Sequence, residues 1–152
     1  MSTHFPDSIS INEADWNGET EHNPTEQDWE TTKTTVDVCK IRWAITTFSP
    51  FKAPGPDGIY PALLQWGLDD LIPHLERMFR SSLALRHIPK VWREVKVVFI
   101  PKPGKADYSL PKAYRPISLT SFVLKTMERL CDRYIRDIVF TRRTNPPTPI
   151  ST

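Results

Sequence analysis

A lysine and an arginine flank a loop that the sequence predicts to be the turn of a β-hairpin. Val97–Lys102 is an apolar, β-branched run that ends in a cation, and Ala113–Leu119 is a second extended segment that contains Arg115. Pairing of the two segments would bring the Lys102 ammonium close to the Arg115 guanidinium, beside a basic Pro/Gly loop. Such a pair is suited to holding a polyphosphate or a nucleic-acid backbone. The plainer alternative is two exposed cations that bind nothing in particular.

Other cations are candidates for contacts with a nucleic-acid strand. Lys52 begins a Pro/Gly-rich loop, Lys52–Ile59, whose glycines would let the backbone approach a ligand. A predicted helix near the C-terminus carries basic residues at intervals of four, four and three, although a solvated helix face is the ordinary explanation of such a stripe. The residues predicted to bind nucleic acid are Lys52, Lys105, Lys112, Lys125 and Arg129. Asp57 is instead expected to stabilise a turn.

Charge is divided unevenly along the 152 residues, although the formal net charge is only +2. Residues 1–32 hold eight acidic side chains and no lysine or arginine. The other 120 residues hold all 20 basic side chains against the remaining ten acids, a balance of +10. A basic body of this kind usually meets phosphates, whereas a soluble domain with an ordinary charged surface is the alternative.

The two cysteines, Cys39 and Cys131, lie far apart, and neither has a histidine at metal-ligand spacing. We therefore expect no disulfide and no metal site, and an intracellular location in the cytoplasm or nucleus. The acidic N-terminus does not resemble a signal peptide, and no apolar run approaches the ~20 residues of a membrane span. The expected protein is neither secreted nor membrane-bound.

Periodicity places these residues on a small set of elements. Residues 1–33 are polar and lack a sustained pattern, which predicts a disordered acidic arm. Residues 34–139 form the predicted folded domain: a helix before Pro50, two helices after Pro61, the hairpin, and a long helix from Thr120 to about Val139. Residues 140–152 are predicted to be an irregular tail. The expected fold class is therefore α+β.

Several motifs together resemble the fingers region of reverse transcriptases from non-LTR retrotransposons, most closely the Jockey-type clade. The Lys52–Ile59 loop, the Val97–Lys102 strand and the Arg115–Ser118 segment follow one another in the family's order, within residues 36 to 137. The resemblance implies a partial reverse-transcriptase fold, comprising the fingers and the first palm helix. It also implies an RNA-directed DNA polymerase whose partners are an RNA template, an RNA–DNA duplex and a deoxynucleoside triphosphate.

The same resemblance assigns roles to individual side chains. Lys102 and Arg115 occupy the family's positions that contact the triphosphate of the incoming nucleotide, and Lys52 lies in the element that approaches the template. The intact enzymes use Mg²⁺ held by clustered carboxylates. No carboxylate here lies in a strand context like the family's first palm motif, so we expect no catalytic or metal-binding residue in this chain. Leu68–Leu71 contains Asp69 and Asp70, but that pair is expected to begin a helix.

These expectations leave two interpretations of the chain open. It is either a fragment of a polymerase that is inactive alone, through a truncated gene model, a frameshift or decay of the element, or a basic nucleic-acid-binding module or relic without catalysis. In the resembling family two helices rest on palm strands. Their apolar stripes are therefore expected to be partly uncovered here and to favour self-association. The stripe residues are Leu71, Leu75, Met78 and Phe79, and Val123, Met127, Leu130 and Tyr134.

Overall fold

The computed structural model describes residues 22–144, which form six helices and one β-hairpin. The helices are α1 (Glu26–Thr35), α2 (Val38–Thr46), α3 (Pro61–Trp66), α4 (Leu68–Ala84), α5 (Lys90–Arg93) and α6 (Phe122–Thr144). The strands β1 (Val95–Pro101) and β2 (Tyr114–Thr120) lie between α5 and α6, and a short 3-10 turn, Pro111–Ala113, leads into β2. This mixture of helices with an antiparallel pair confirms the predicted α+β class.

Local sequence signals set where the helices begin. Thr25 and Asp28 form a reciprocal capping box at the start of α1, and the Asp37 carboxylate accepts the backbone N–H of Lys40 at the start of α2. Pro61 occupies the first turn of α3, where its missing N–H costs nothing. Asp69 and Asp70 lie in the first turn of α4, as predicted, where carboxylates suit the helix dipole.

The core lies where α2, α4 and α6 meet, and it covers most of both predicted apolar stripes. Leu75 and Phe79 of α4 and Met127 and Leu130 of α6 are buried. Phe79 meets Trp92 of α5 edge-on, with their ring centroids 6.1 Å apart. The stripes were expected to be partly uncovered, but five of their eight residues are buried, because the N-terminal helices pack against them. Leu71 and Tyr134 are half-buried, and Met78 is exposed.

The hairpin, by contrast, projects from the core with both faces largely exposed. β1 and β2 pair in an antiparallel register that sets Val95 opposite Thr120 and Ile100 opposite Arg115. Val95, Val97 and Phe99 share one face, and Phe99 remains 57% exposed. Two strands with no covered face contribute little independent stability. The hairpin therefore leaves more of its apolar side chains exposed than the two helix stripes do.

Two predicted boundaries are wrong. The predicted disordered arm extended to residue 33, but residues 26–33 belong to α1, whose Thr32 and Thr35 are buried against the other helices. The predicted irregular tail began at residue 140, but α6 continues to Thr144, because no helix breaker occurs before Pro146. The rest of the arm, residues 1–21, and of the tail, residues 145–152, lies outside the described residues.

Among the helices of residues 22–144, none combines the length and the apolar character that a membrane-spanning segment requires.

Candidate nucleic-acid interface

The hairpin register places Lys102 and Arg115 on one face, on adjacent strands. Arg115 lies opposite Ile100. Pairing continues one residue beyond β1, since the backbone N–H of Lys102 donates to the carbonyl oxygen of Ala113 at 2.7 Å. Residues two apart on one strand share a face, so Lys102 and Arg115 are diagonal neighbours, with about 7–8 Å between their backbones. Their two side chains can therefore reach one polyphosphate.

The loop between the strands is folded back onto the hairpin rather than left extended. The Tyr108 hydroxyl donates to the carbonyl oxygen of Lys102 at 2.9 Å, and its ring meets Tyr114 edge-on at 6.2 Å. The Lys102 ammonium donates to the carbonyl oxygen of Lys112 at 2.9 Å. Lys105 and Lys112 are exposed on this loop. Four predicted contacts, Lys102, Lys105, Lys112 and Arg115, therefore lie at the outer end of the hairpin.

A second pair of predicted residues, Lys52 and Lys125, comes together where the Pro/Gly-rich loop meets α6. Burial lowers the pKa of Lys125, the negative charge of Glu128 opposes that shift, and the positive charge of Lys52 adds to it. The Lys125 ammonium lies 4.4 Å from the centroid of the Phe122 ring. The carboxylate of Asp57 also opposes the shift, so two lysines and two carboxylates lie close together at this junction.

Gly55 fixes the loop that carries Lys52 against the end of the hairpin. A Cβ atom at Gly55 would lie 2.7 Å from the carbonyl carbon of Thr120 and from the backbone nitrogen of Ser121. The close backbone approach inferred from the glycines is thus an approach to another part of the chain, not to a ligand. Asp57 stabilises the same loop as predicted, since its carboxylate accepts the backbone N–H of Ile59 at 3.2 Å.

Arg129, also predicted to bind nucleic acid, is half-buried and packs against the end of α2. Its guanidinium stacks on Phe48, 3.7 Å from the ring centroid, and donates to the carbonyl oxygen of Ala44 at 2.8 Å and to the Thr47 hydroxyl. The acceptors of these hydrogen bonds lie at the C-terminal end of α2, where the helix dipole stabilises a positive charge. In the same stripe, Arg133 lies over the Trp43 ring. The basic stripe therefore partly serves to attach α6 to α2.

Replacement of Arg129 by methionine should lower the free energy of unfolding by about 1–3 kcal/mol, because hydrogen bonds to a charged group and a stacking contact are lost together. Urea denaturation of the full chain measures the change. Arg136→Met is the matched control, since Arg136 lies on the same helix, is exposed and pairs with Asp132 in the preceding turn. Equal stability of the two variants would show that Arg129 is not a packing residue.

No metal site is formed by the part of the chain that the structure describes. Within residues 22–144, no group of three or more His, Cys, Asp or Glu side chains is arranged to hold a metal ion. Asp69 and Asp70 lie in a helical turn, and Asp69 pairs with Arg42. The described residues thus do not fit the carboxylate cluster that two-metal chemistry requires, and no catalytic step is assigned to them.

The aromatic side chains that contact the cations of α6 were not predicted from the sequence. Trp43, Phe48 and Phe122 lie beneath Arg133, Arg129 and Lys125. One signal was available for Trp43 and Phe48, because both follow the apolar periodicity that predicted the helix before Pro50 and lie near the end of that helix. Nothing in the sequence pairs them with residues more than 80 positions later.

The known proteins to which the chain is similar are of one kind. No protein-family model matches the chain. The chain is 36% identical over 111 residues to a probable RNA-directed DNA polymerase from transposon BS of Drosophila melanogaster, across 73% of this chain and 12% of the relative. It is 34% identical over 97 residues to the probable RNA-directed DNA polymerase from transposon X-element of the same species, across 64% of this chain and 11% of that relative.

A third relative is the RNA-directed DNA polymerase from mobile element jockey of D. melanogaster, 34% identical over 79 residues, across 52% of this chain and 8% of the relative. The chain therefore spans about a tenth of the length of the relatives it matches. These similarities confirm the resemblance that the motifs indicated. The chain is homologous to a segment of RNA-directed DNA polymerases from Drosophila mobile elements, jockey among them.

Proposed function

We propose, from its homology to a segment of mobile-element RNA-directed DNA polymerases, that this chain supplies the surface that holds the incoming nucleotide and the template strand. One observation carries the proposal: Lys102 and Arg115 lie on one face of the hairpin as diagonal neighbours. An ammonium and a guanidinium at that separation neutralise a triphosphate through several charge-assisted hydrogen bonds. We assign triphosphate binding to these two residues, with Lys105 and Lys112 beside them.

The second cation pair suggests where the template would lie. Arg115 precedes Thr120 by five residues, about 17 Å along a strand, and Gly55 holds the Lys52 loop at Thr120. At 3.4 Å per base step, that length corresponds to about five nucleotides of a nucleic-acid strand. We therefore assign Lys52 and Lys125 to template phosphates several positions from the incoming nucleotide. Arg129 stabilises the packing of α6 on α2, and we do not assign it to nucleic-acid binding.

Catalysis in the whole polymerase would require Mg²⁺ and an RNA–DNA duplex in addition to the nucleotide. The metal would stabilise the charge that develops on the transferred phosphate. Residues 22–144 do not provide its carboxylate cluster, so its ligands would come from the remainder of a longer polymerase. In this assignment the described residues orient the triphosphate and the template.

The proposal predicts that the double variant Lys102→Ala/Arg115→Ala binds a deoxynucleoside triphosphate about 100-fold or more weakly. The reason is that two charge-assisted contacts of about 1.5–3 kcal/mol each are lost, and 1.4 kcal/mol corresponds to a factor of ten. The dissociation constant of a fluorescently labelled deoxynucleoside triphosphate, measured by titration of the full chain, gives the change.

The matched control removes one lysine and one arginine at other positions. Lys96 lies on the same hairpin face at its other end, opposite Leu119, and Arg77 is exposed on α4. Lys96→Ala/Arg77→Ala should weaken triphosphate binding only by the small effect of net charge. If both double variants lose the same affinity, binding is a non-specific charge effect and the assignment of Lys102 and Arg115 fails.

A second candidate function is a nucleic-acid-binding module without catalysis, which the proximity of Lys52 to Lys125 favours. The two functions give different results in the same variants. A loss of RNA–DNA duplex affinity with unchanged triphosphate affinity in Lys102→Ala/Arg115→Ala would support the module.

A further inference from the structure

The outer edge of β1 is open, although its inner edge is paired with β2. The backbone N–H of Lys102 donates to the carbonyl oxygen of Ala113, which fixes the alternation of hydrogen bonds along the whole hairpin. Even-numbered residues of β1 bond to β2, whereas Val95, Val97 and Phe99 direct their N–H and carbonyl groups away from it. Within residues 22–144 no further backbone hydrogen bond reaches these outward groups, so they form a row of donors and acceptors open to another strand.

The outer edge of β2 is protected, which distinguishes it from the edge of β1. Pro116 occupies an outward position of β2 and has no N–H to offer there. At the end of the same edge, Gly55 lies so close that an added Cβ atom would be 2.9 Å from the carbonyl oxygen of Thr120. The edge with consecutive outward N–H groups is therefore that of β1, from Val95 to Phe99.

We infer that β1 pairs with β1 of a second copy of this chain, antiparallel and with Val97 on the twofold axis. Val97 then lies opposite Val97 of the second copy, and Val95 lies opposite Phe99 on either side of the axis. In this register each of the three pairs makes two hydrogen bonds, which satisfies every outward group of the three residues. An axis at Val98 would instead set Val95 opposite Pro101, which has no N–H. The two hairpins form one sheet in the order β2–β1–β1–β2.

The side chains of the outward residues suit this pairing. Val95, Val97 and Phe99 share one face of the hairpin and are between 47% and 57% exposed. Across the axis each Val95 meets a Phe99 ring, and an aromatic ring beside a β-branched side chain is a favourable cross-strand pair. A sheet of two strands is marginally stable at best, whereas four strands with one apolar face meet the condition for independent stability.

Charges on the other face of the hairpin agree with the same register. Glu94 is extended and exposed at the start of β1, and Lys102 follows the end of that strand. Across the axis Glu94 lies opposite Ile100 of the second copy, so Lys102 of that copy is its diagonal neighbour, about 7–8 Å away between backbones. Symmetry repeats this pair of opposite charges. Lys96 lies opposite Val98 of the second copy and only diagonal to its own equivalent, so no like charges are directly opposed.

Sedimentation equilibrium of the full chain over a range of concentrations measures the pairing. Val97→Pro should weaken dimerisation by about 10- to 100-fold, because the two hydrogen bonds at the axis are lost. The hairpin keeps its own ladder, since Val97 does not bond to β2. Ser118→Pro is the matched control, because Ser118 lies opposite Val97 and faces the outer edge of β2, as Pro116 already does. It should change the dissociation constant by less than about twofold.

A disulfide locates the axis without the use of proline. The variant Cys39→Ser/Cys131→Ser removes both native thiols. In that background Val97→Cys should form a disulfide-linked dimer on mild oxidation, since the opposed Cα atoms lie about 5.5 Å apart. Ser118→Cys should not, because three strand spacings, about 14 Å, separate it from its equivalent in the second copy.

Three results would overturn this pairing. The first is a chain that stays monomeric up to its solubility limit. The second is a dimer that Val97→Pro and Ser118→Pro weaken equally, and the third is a dimer that Ser118→Cys cross-links as well as Val97→Cys does. If either proline changes the circular dichroism spectrum, the comparison of the two cysteine variants decides alone.

Discussion

Replacement of Phe79 by alanine should lower the free energy of unfolding by about 3–5 kcal/mol, as expected for a large aromatic side chain removed from a closed core. Phe79 is fully buried at the centre of α4 and meets Trp92 edge-on. It belongs to the cluster in which α2, α4 and α6 pack together. A loss of this size is a large part of the 5–15 kcal/mol typical of a domain.

The measurement is equilibrium urea denaturation of the full chain, followed by circular dichroism. Phe51→Ala is the matched control, because Phe51 is 77% exposed and should change the unfolding free energy by less than about 0.5 kcal/mol. If Phe79→Ala costs less than about 1 kcal/mol, the helices do not form one closed core around this ring. The same result would support the expectation that the α4 stripe is partly uncovered in this chain.

Replacement of Gly55 by alanine should cost about 1–3 kcal/mol of stability and also weaken binding of an RNA–DNA duplex. The added Cβ atom would lie 2.7 Å from backbone atoms of Thr120 and Ser121, which cannot move as a flexible side-chain end could. The loop would have to separate from the junction of β2 and α6. Lys52 would then move away from Lys125, so the template strand that we propose to contact both cations would lose one contact.

The control is Gly67→Ala at the junction of α3 and α4. A Cβ atom there would make ordinary contacts, 3.4 Å from Leu71 and 3.5 Å from the carbonyl oxygen of Leu63. Its stability and duplex affinity should change little, by less than about 1 kcal/mol. Urea denaturation and fluorescence anisotropy of a labelled duplex measure the two quantities. Unaltered stability of Gly55→Ala would show that the loop does not rest on β2 and α6.

The sequence by itself predicted the elements that depend on local patterns. Alternating β-branched residues, a Pro/Gly loop and a second extended segment predicted the hairpin, and the pairing of Ile100 with Arg115 confirms it. Apolar periodicity predicted α2, α4 and the greater part of α6, since three- and four-residue spacing reports the buried face of a helix directly. The positions of Lys102 and Arg115 followed from the same local signals, because register in a hairpin fixes which residues share a face.

Local sequence patterns did not predict burial where the neighbours of a residue come from distant parts of the chain. α1 is polar in composition and resembles the acidic segment before it, yet Thr32 and Thr35 are buried by helices far along the sequence. Composition predicts disorder for such a segment because it cannot reveal that a preformed surface is available to cover it.

Only the tertiary structure distinguished the packing role of Arg129 from the surroundings of Lys125, which we propose to bind nucleic acid. Lys125 and Arg129 are equivalent in the sequence stripe, but Lys125 lies near Lys52 whereas Arg129 stacks on Phe48 and binds the end of α2. Gly55 likewise has its role only because Thr120 and Ser121 lie against it. Periodicity fixes the face of a helix on which a side chain lies. What that face meets depends on contacts between residues more than 60 positions apart, which no local pattern encodes.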